Sequence, residues 1–400
     1  MAIHNLKVLI IFLVINFLVL KIYAKAKGPK FYFNPKTPFV AFFLYLICFP
    51  FFQEKTNIFR YQSVEENRKK ISHPLGNPIV ELLNTKNNYS SAYEKYFNDN
   101  YGLRDLFIRL KNQIDYSAFG VSDEIIIGKN HWLFYKNVVE REQFYLEQQT
   151  EAQFENIQNK ILSLNQYFKK REVLFVVMPI PMKNSVYPEH YTNRTTNRPS
   201  PTKFERFITF LKSHPEVAFI DAPAILQQYK NQYQLFHKTD FHWNDTAAFL
   251  VSQETISSIN KWTNRSVRWQ YPLKTQNDTD FTGGQTNSLA ILISPKENIL
   301  RISNSPKSAI PDPITPLPFL YYFKSPVSSQ NLFPKMLLIG NSYLLNFLNT
   351  GIFDHFSETL IIHSNDMQKI PTAVPKDVKI VIWEMIEVDL LKESLFKINY

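Results

Sequence analysis

One cysteine, Cys48, in 400 residues leaves no partner for an intramolecular disulfide and no basis for a multi-cysteine metal site. No internal repeat, low-complexity tract or long charge block is present, so nothing points to a repeat array or a charged tail. Acidic residues are almost missing from residues 1–60, where seven lysines and Arg60 face Glu54 alone. Seven of the ten net positive charges therefore belong to this end, and the other 340 residues carry only +3. A main body so close to neutral argues against a polyanion-binding face, and no nucleic-acid partner is expected.

What the first 60 residues do have is apolar length. VLIIFLVINFLVLKIYA (Val8–Ala24) and TPFVAFFLYLICFPFF (Thr37–Phe52) are nearly free of charge, and each is a little short of the roughly 20 residues of a helical span. Two anchoring spans are expected; one signal anchor followed by an interfacial or buried segment is the alternative. A cleaved leader fits poorly, because AKAKGPK makes a poor cleavage region and a second apolar run follows. Between the runs lies KIYAKAKGPKFYFNPK, with five lysines and no acid. Positive charge in short loops stays cytoplasmic. The loop would then face the cytoplasm, and everything after about Gln53 the opposite side. This places the chain in the cytoplasmic (inner) membrane with its main domain facing the periplasm.

Residues 61–130 form a polar, mixed-charge lead-in. Phe97, Tyr101, Phe107, Leu110 and Ile114 recur at helical spacing, with Gly102 as an interruption, and predict one or two amphipathic helices packed on the main body. IIIGKNHWLFY (Ile125–Tyr135) reads as a hairpin. From 131 to 400 the pattern alternates. EVLFVVMPIP is a buried strand, KFERFITFLKS a helix, and VAFIDAPAILQQYK a strand running into a helix. DTAAFLVSQETISSI is a helix capped by Asn244 or Asp245, and DVKIVIWEMIEVDLLKESL is again strand into helix. The fold class is α/β, a mostly parallel sheet with helices on both faces. The stretch from about Arg265 to Pro334, rich in Pro, Asn, Ser and Thr, is a loop-and-strand elaboration.

Two motifs carry possible chemistry. In KMLLIGNSYLLNFL, a buried strand ends at Gly340-Asn341-Ser342 and a helix is expected at once. That puts a serine at the carboxyl end of a parallel strand, beside unpaired helix amides suited to an oxyanion. In HKTDFHWND, Asp240 and His242 share one face of an extended segment while Phe241 and Trp243 share the other. Together they would give Ser342 as nucleophile, His242 as general base, and Asp240 fixing the imidazole tautomer. Quieter readings fit the same residues: Ser342 as a helix cap, His242 as a core histidine bonded to Asp240. A metal reading of Asp240 and His242 would need His237, His355 or His363, which no spacing supports.

KTDFHWN, LLIGNSY, NYGLRDLFIRLKN, IIIGKNHWLFY and PIPMKNSVYPE together resemble the SGNH-hydrolase-like domain of the AlgX/AlgJ alginate O-acetyltransferase family, over about residues 61–400. Asp-x-His-Trp preceding Gly-x-Ser is distinctive, since ordinary SGNH esterases place the serine near the N-terminus. The resemblance implies a three-layer α/β/α domain and a Ser342–His242–Asp240 triad moving acetyl groups to an exported or cell-surface polysaccharide. The implied partners are a membrane-bound acyl-donor acyltransferase and the polysaccharide itself, with no cofactor and no metal. Asn341 stands where many SGNH proteins have aspartate, and no arginine follows Arg301, so Asn365 is the candidate to complete an oxyanion hole beside the Ser342 amide. Lys183 and Tyr187 are implied to line the cleft, and Trp243 to anchor rather than to stack on sugar. A carbohydrate acetylesterase with the same triad, and a non-catalytic glycan-binding or assembly subunit, are the rival readings.

Overall fold

The computed structural model describes residues 89–191, 199–302, 319–325, 331–365 and 374–392, with 43, 49–50, 53, 58, 71–74 and 396. The two apolar runs expected to span a membrane lie almost wholly outside these residues. No helix among the described residues is long and apolar enough to cross a membrane.

The chain divides into two compact units, residues 1–122 with 287–294, and residues 123–286 with 295–400. The division falls after Ser122, so the hairpin of β1 (Ile125–Ile127) and β2 (Leu133–Tyr135) goes with the larger unit. In the smaller unit, α1 (Tyr89–Asn100) and α2 (Arg104–Ile114) are separated at Gly102, as the glycine suggests. The expected apolar stripe is not buried: Phe107, Leu110 and Ile114 are all exposed. Polar side chains of α2 instead hold the backbone of 289–293, with Arg109 donating to the Ile291 carbonyl, Asn112 to the Leu289 carbonyl, and Gln113 accepting from the Ile293 N–H.

The larger unit contains α3 (Glu151–Lys170), β3 (Leu174–Ile180), α4 (Lys203–Ser213), β4 (Ala218–Phe219), α5 (Ala222–Tyr229), α6 (Asp245–Thr263), β5 (Thr275–Phe281), β6 (Glu297–Ile302), β7 (Phe319–Lys324), β8 (Met336–Gly340), β9 (Glu358–His363) and β10 (Ile380–Ile386). The helices start where side chains cap them. Thr150 with Gln153 and Thr202 with Glu205 form reciprocal capping boxes, and Asn244 accepts from the Ala247 N–H. The main sheet runs β4-β3-β10-β8-β9-β7. Its first five strands are parallel, and β7, from the Pro- and Ser-rich stretch, is an antiparallel edge on β9. The same stretch also supplies the β5–β6 hairpin.

Strand periodicity assigns the two faces. Phe175, Val177, Leu337, Ile339, Val381 and Trp383 pack with Phe154, Ile161 and Phe168 of α3 and Phe207 and Leu211 of α4. Their neighbours Val176, Met178, Met336, Leu338, Ile380 and Ile382 pack with Leu226 of α5 and Ala247, Val251 and Ile256 of α6. Apolar residues on both faces are what a parallel sheet between helical layers demands. The result is the three-layer α/β/α arrangement. One expectation fails after β10: residues Glu387–Leu391 form a 3-10 turn rather than an α-helix. The Asp389 carboxylate accepts from the Ile386 N–H three residues back and from Lys392 three residues on, which tightens the chain at once.

Candidate active site

β8 lies between β10 and β9, and all five of its residues are buried. Gly340 ends it because nothing larger fits; a Cβ there would stand 2.2 Å from Glu384 Oε2 and 2.8 Å from Leu344 Cγ. Asn341 is then pinned three ways. Its N–H donates to Glu384 Oε2 (3.0 Å), its Oδ1 accepts from the Tyr343 N–H (3.0 Å), and its Nδ2 donates to Asp389 Oδ2 (3.0 Å). Ser342 follows with its side chain exposed.

The segment after the serine is not the expected α-helix but a 3-10 helix, Ser342–Asn349. Its three-residue period explains why: Asn346 and Asn349 both donate to Oδ1 of the buried Asp245, at 3.1 and 3.2 Å, and residues three apart eclipse in a 3-10 helix. The supply of free amides is accordingly smaller than foreseen. Asn341 takes the Tyr343 N–H with its side chain and the Leu344 N–H with its carbonyl. The Ser342 N–H, at the first position, has no acceptor within the segment.

Asp240 and His242 come together by a turn rather than by an extended strand. Phe236 and Trp243 form an antiparallel bridge, and the intervening residues loop out between them. Asp240 Oδ1 accepts from the His242 backbone N–H (2.9 Å), the side-chain-to-backbone turn that a short carboxylate makes two residues ahead of itself. The same oxygen lies 2.6 Å from His242 Nδ1, and Oδ2 accepts from the Gly284 N–H at 2.5 Å. Burial alone would raise the Asp240 carboxyl, but the hydrogen bonds from His242 and Gly284 and the imidazole charge outweigh it, holding the group below the usual carboxylate range. His242 Nε2 lies 2.7 Å from Ser342 Oγ. A carboxylate, an imidazole and a hydroxyl thus form one hydrogen-bonded line across 100 positions of sequence. An imidazole so held can accept a proton at Nε2 while the carboxylate faces Nδ1.

Two reciprocal bonds keep the halves together. Trp243, fully buried, donates from Nε1 to the Tyr343 carbonyl (3.0 Å), and the Tyr343 hydroxyl donates to the Phe241 carbonyl (2.9 Å). The indole meets Phe347 edge-on, so it is a core anchor with no face turned to solvent.

The remaining sequence candidates do not gather at the hydroxyl. Lys183 is buried rather than lining an open cleft, and its ammonium is engaged by the carbonyls of His237 and Asp240 and by Gln285 Oε1. Burial pushes it down to about 7 against the pull of Asp240 and Glu297. Tyr187 is also inside, its hydroxyl accepting from the Leu235 N–H (3.0 Å) with its ring against Trp132. Burial pushes that phenol up to about 12. Asn365 sits two residues past the end of β9, where its backbone N–H donates to His363 Nδ1 (3.1 Å); no bond joins its side chain to Ser342 among the described residues. His237 is buried against Phe281, and His355 is stacked on Trp269.

Four residues that the sequence did not single out hold the site in place. Glu384, beneath the serine turn, is fully buried and pushed up to about 8 by that burial, against the lowering effect of the Asn341 N–H. Glu297, first residue of β6, faces the Asp240 loop. Gly283 and Gly284 pass so close to that loop that a Cβ on the former would stand 2.4 Å from the Thr239 oxygen. The visible signal was a Gly-Gly pair in a chain with only nine glycines.

Comparison with known proteins adds to this geometry. Residues 125–308 match the family model described as the SGNH hydrolase-like domain of acetyltransferase AlgX; the match includes Asp240 and His242 and ends before Ser342. The probable alginate O-acetylase AlgJ of Azotobacter vinelandii is 28% identical over 175 residues, 42% of this chain and 42% of that protein. The protein of the same name from Pseudomonas aeruginosa is 25% identical over 184 residues, 45% of this chain and 44% of its own. The matched part is thus less than half the length of either relative. Among solved structures, the O-acetyltransferase domain of Pseudomonas putida AlgJ superposes with a TM-score of 0.43 at 17% identity, covering 69% of this chain and 93% of that domain. Over residues 125–308, which hold the Asp-x-His half of the site, the chain is similar to the AlgX/AlgJ SGNH hydrolase-like domains.

Proposed function

We propose that this protein is a membrane-anchored, extracytoplasmic O-acetyltransferase that acetylates hydroxyls of an exported or cell-surface polysaccharide. The observation that carries the reading is the line Asp240–His242–Ser342, with contacts of 2.6 and 2.7 Å. The hydroxyl attacks the carbonyl carbon of an acetyl donor while His242 Nε2 takes its proton. Collapse of the adduct breaks the bond to the donor's leaving oxygen, which leaves with that proton, and acetyl remains on Ser342. A sugar hydroxyl then attacks, again giving its proton to His242, and the serine oxygen departs and recovers it. The Ser342 N–H is the nearest donor for the oxyanion of both adducts, with Asn365 as the candidate second.

The names of the curated relatives, probable alginate O-acetylases, support a polysaccharide acceptor. The five lysines between the two apolar runs support an anchor with the main domain outside. A membrane-embedded acyltransferase is the proposed source of the acetyl group. Hydrolysis is the second reading, and the exposure of Ser342 favours it, since water reaches the same hydroxyl.

The test uses the full chain in detergent with a chromogenic acetyl ester, with and without oligosaccharide. Acetylated sugar that disappears in Ser342→Ala is the expected result. Free acetate alone would make the protein an esterase, and sugar acetylation unchanged in the alanine variant would remove the serine from the reaction.

A further inference from the structure

The loop that carries Asp240 lies outside the main sheet, touching strand β2 through the Leu133 N–H to the Lys238 carbonyl (2.8 Å), and its peptide groups are aimed. Residues 237–242 lie between the bridge partners Phe236 and Trp243, with one backbone bond, His237 N–H to the His242 carbonyl (3.3 Å), across the neck. The carbonyls turn one way. Those of His237 (3.0 Å), Lys238 (3.3 Å) and Asp240 (2.6 Å) converge on Lys183 Nζ, joined by Gln285 Oε1 at 2.7 Å. The amides turn the other way. The N–H groups of Lys238 (2.8 Å) and Thr239 (2.7 Å) converge on the Glu297 carboxylate, which also accepts from the Thr239 hydroxyl (2.7 Å) and from Gln234 Nε2 (2.8 Å).

Both charged groups are almost wholly buried. Four oxygens surround the one nitrogen and four donors the one carboxylate, and both groups are desolvated. Such an arrangement is costly unless every partner is present. Buried acids hold other turns too, Glu384 at Asn341 and Asp389 at Ile386, but here a buried cation and a buried anion grip one short loop from opposite sides, which calls for a specific return.

We infer that Lys183 and Glu297 are paired positioning residues, a cation gripping the carbonyl side and an anion gripping the amide side of residues 237–240, so that the Asp240 carboxylate is presented to His242. Orienting successive peptide planes fixes the direction of each Cα–Cβ bond, and hence where the carboxylate can point. Gly283 and Gly284 complete the grip from above; the first leaves room for the Thr239 carbonyl, and the second donates to Asp240 Oδ2. Neither Lys183 nor Glu297 reaches the hydroxyl of Ser342, so their effect passes through Asp240. The inference rests on the acyl-transfer reading for its effect on rate, but its structural content stands apart from it.

The experiment therefore has two readouts on the full chain: the low-field proton resonance of the His242–Asp240 hydrogen bond, and the kinetics of acetyl transfer. In Lys183→Met and Glu297→Gln the resonance should vanish or move upfield. The value of kcat should fall about 10- to 100-fold with KM within about twofold, the size expected of a displaced catalytic group. Lys203→Met is the control, because Lys203 is equally buried but pairs with Glu151 on another face. It should keep both readouts. If Lys183→Met does not fold, Gln285→Met decides, since it removes one of the four oxygens. A shifted resonance with at least about a threefold loss of kcat supports the inference. A folded Lys183→Met, or failing that a Gln285→Met, with resonance and kcat unchanged overturns it. Should Ser342→Ala leave acetylation intact, the resonance still answers the question of position.

Discussion

The indole N–H of Trp243 and the carbonyl of Tyr343 meet at 3.0 Å, and the Tyr343 hydroxyl returns to the Phe241 carbonyl at 2.9 Å. Each bond ties the histidine segment to the serine segment, and each acceptor is a backbone oxygen with little alternative once buried. Trp243→Phe and Tyr343→Phe should each lower the unfolding free energy by about 1–3 kcal/mol, the cost of a buried carbonyl left without its donor. Because both bonds join the same two segments, the double variant should be non-additive by at least about 0.5 kcal/mol. Urea titrations of the four proteins measure this; strict additivity would mean the segments are held independently.

Asp240→Asn keeps the size of the side chain but not its pattern of acceptance. Oδ1 and Oδ2 together take three N–H groups, and an amide nitrogen in either place would oppose a donor. Acetyl transfer should fall by about 10³-fold or more, as expected when an imidazole loses the partner that sets its tautomer. A loss below tenfold would mean that the carboxylate is a structural acceptor only.

The glycine pair allows a graded test. Alanine at 283 would put its Cβ 2.5 Å from Asp240 Cβ and 2.4 Å from the Thr239 oxygen, whereas alanine at 284 would lie 3.1 Å from Asp240 Oδ2. Gly283→Ala should therefore damage activity and stability well beyond Gly284→Ala, whose neighbour can give by a few tenths of an ångström. Equal effects would show that the loop is free to withdraw.

Glu384 predicts a pH dependence of stability. Its folded pKa, pushed up to about 8 by burial, lies above the ordinary 4.5. The neutral acid is therefore favoured in the fold, and its contribution is complete below about pH 4.5 and lost as pH rises through 8. Glu384→Gln mimics the neutral acid at every pH. Its melting temperature should fall less than that of the wild type between pH 5 and pH 8. Parallel curves would place the carboxylate charge on Glu384 throughout.

The parts of this structure that were legible in the sequence are those set by local chemistry. Apolar runs such as Leu174–Ile180 and Ile380–Ile386 can only be strands with both faces covered, and Lys203–Ser213 begins and ends where its capping threonine and apolar period say it should. Asp240, His242 and Ser342 were also visible, because a titratable pair and a serine after a buried strand are uncommon patterns. What stayed hidden depends on partners distant in sequence. The turn at 342–349 is 3-10 because Asp245, about 100 positions away, accepts from two asparagines. Lys183 was placed in the cleft by the resemblance alone, and nothing local says which way a lysine points. Glu297 drew no notice in the sequence, and its burial follows only from where β6 comes to lie.

β8 is flanked by parallel strands on both sides, whereas the loop 237–242 is kept in place mainly by side chains, with isolated backbone bonds such as those from the Leu133 and Gln285 N–H groups to the Lys238 and Thr239 carbonyls. The two halves of the site therefore differ in stiffness. Amides of Leu337–Ile339 should open to exchange only with global unfolding, and those of the loop through cheaper local excursions. Mild denaturant would then separate base from hydroxyl while the sheet is still intact. Loss of activity would precede loss of fold, and would reverse on dilution without refolding of the strands.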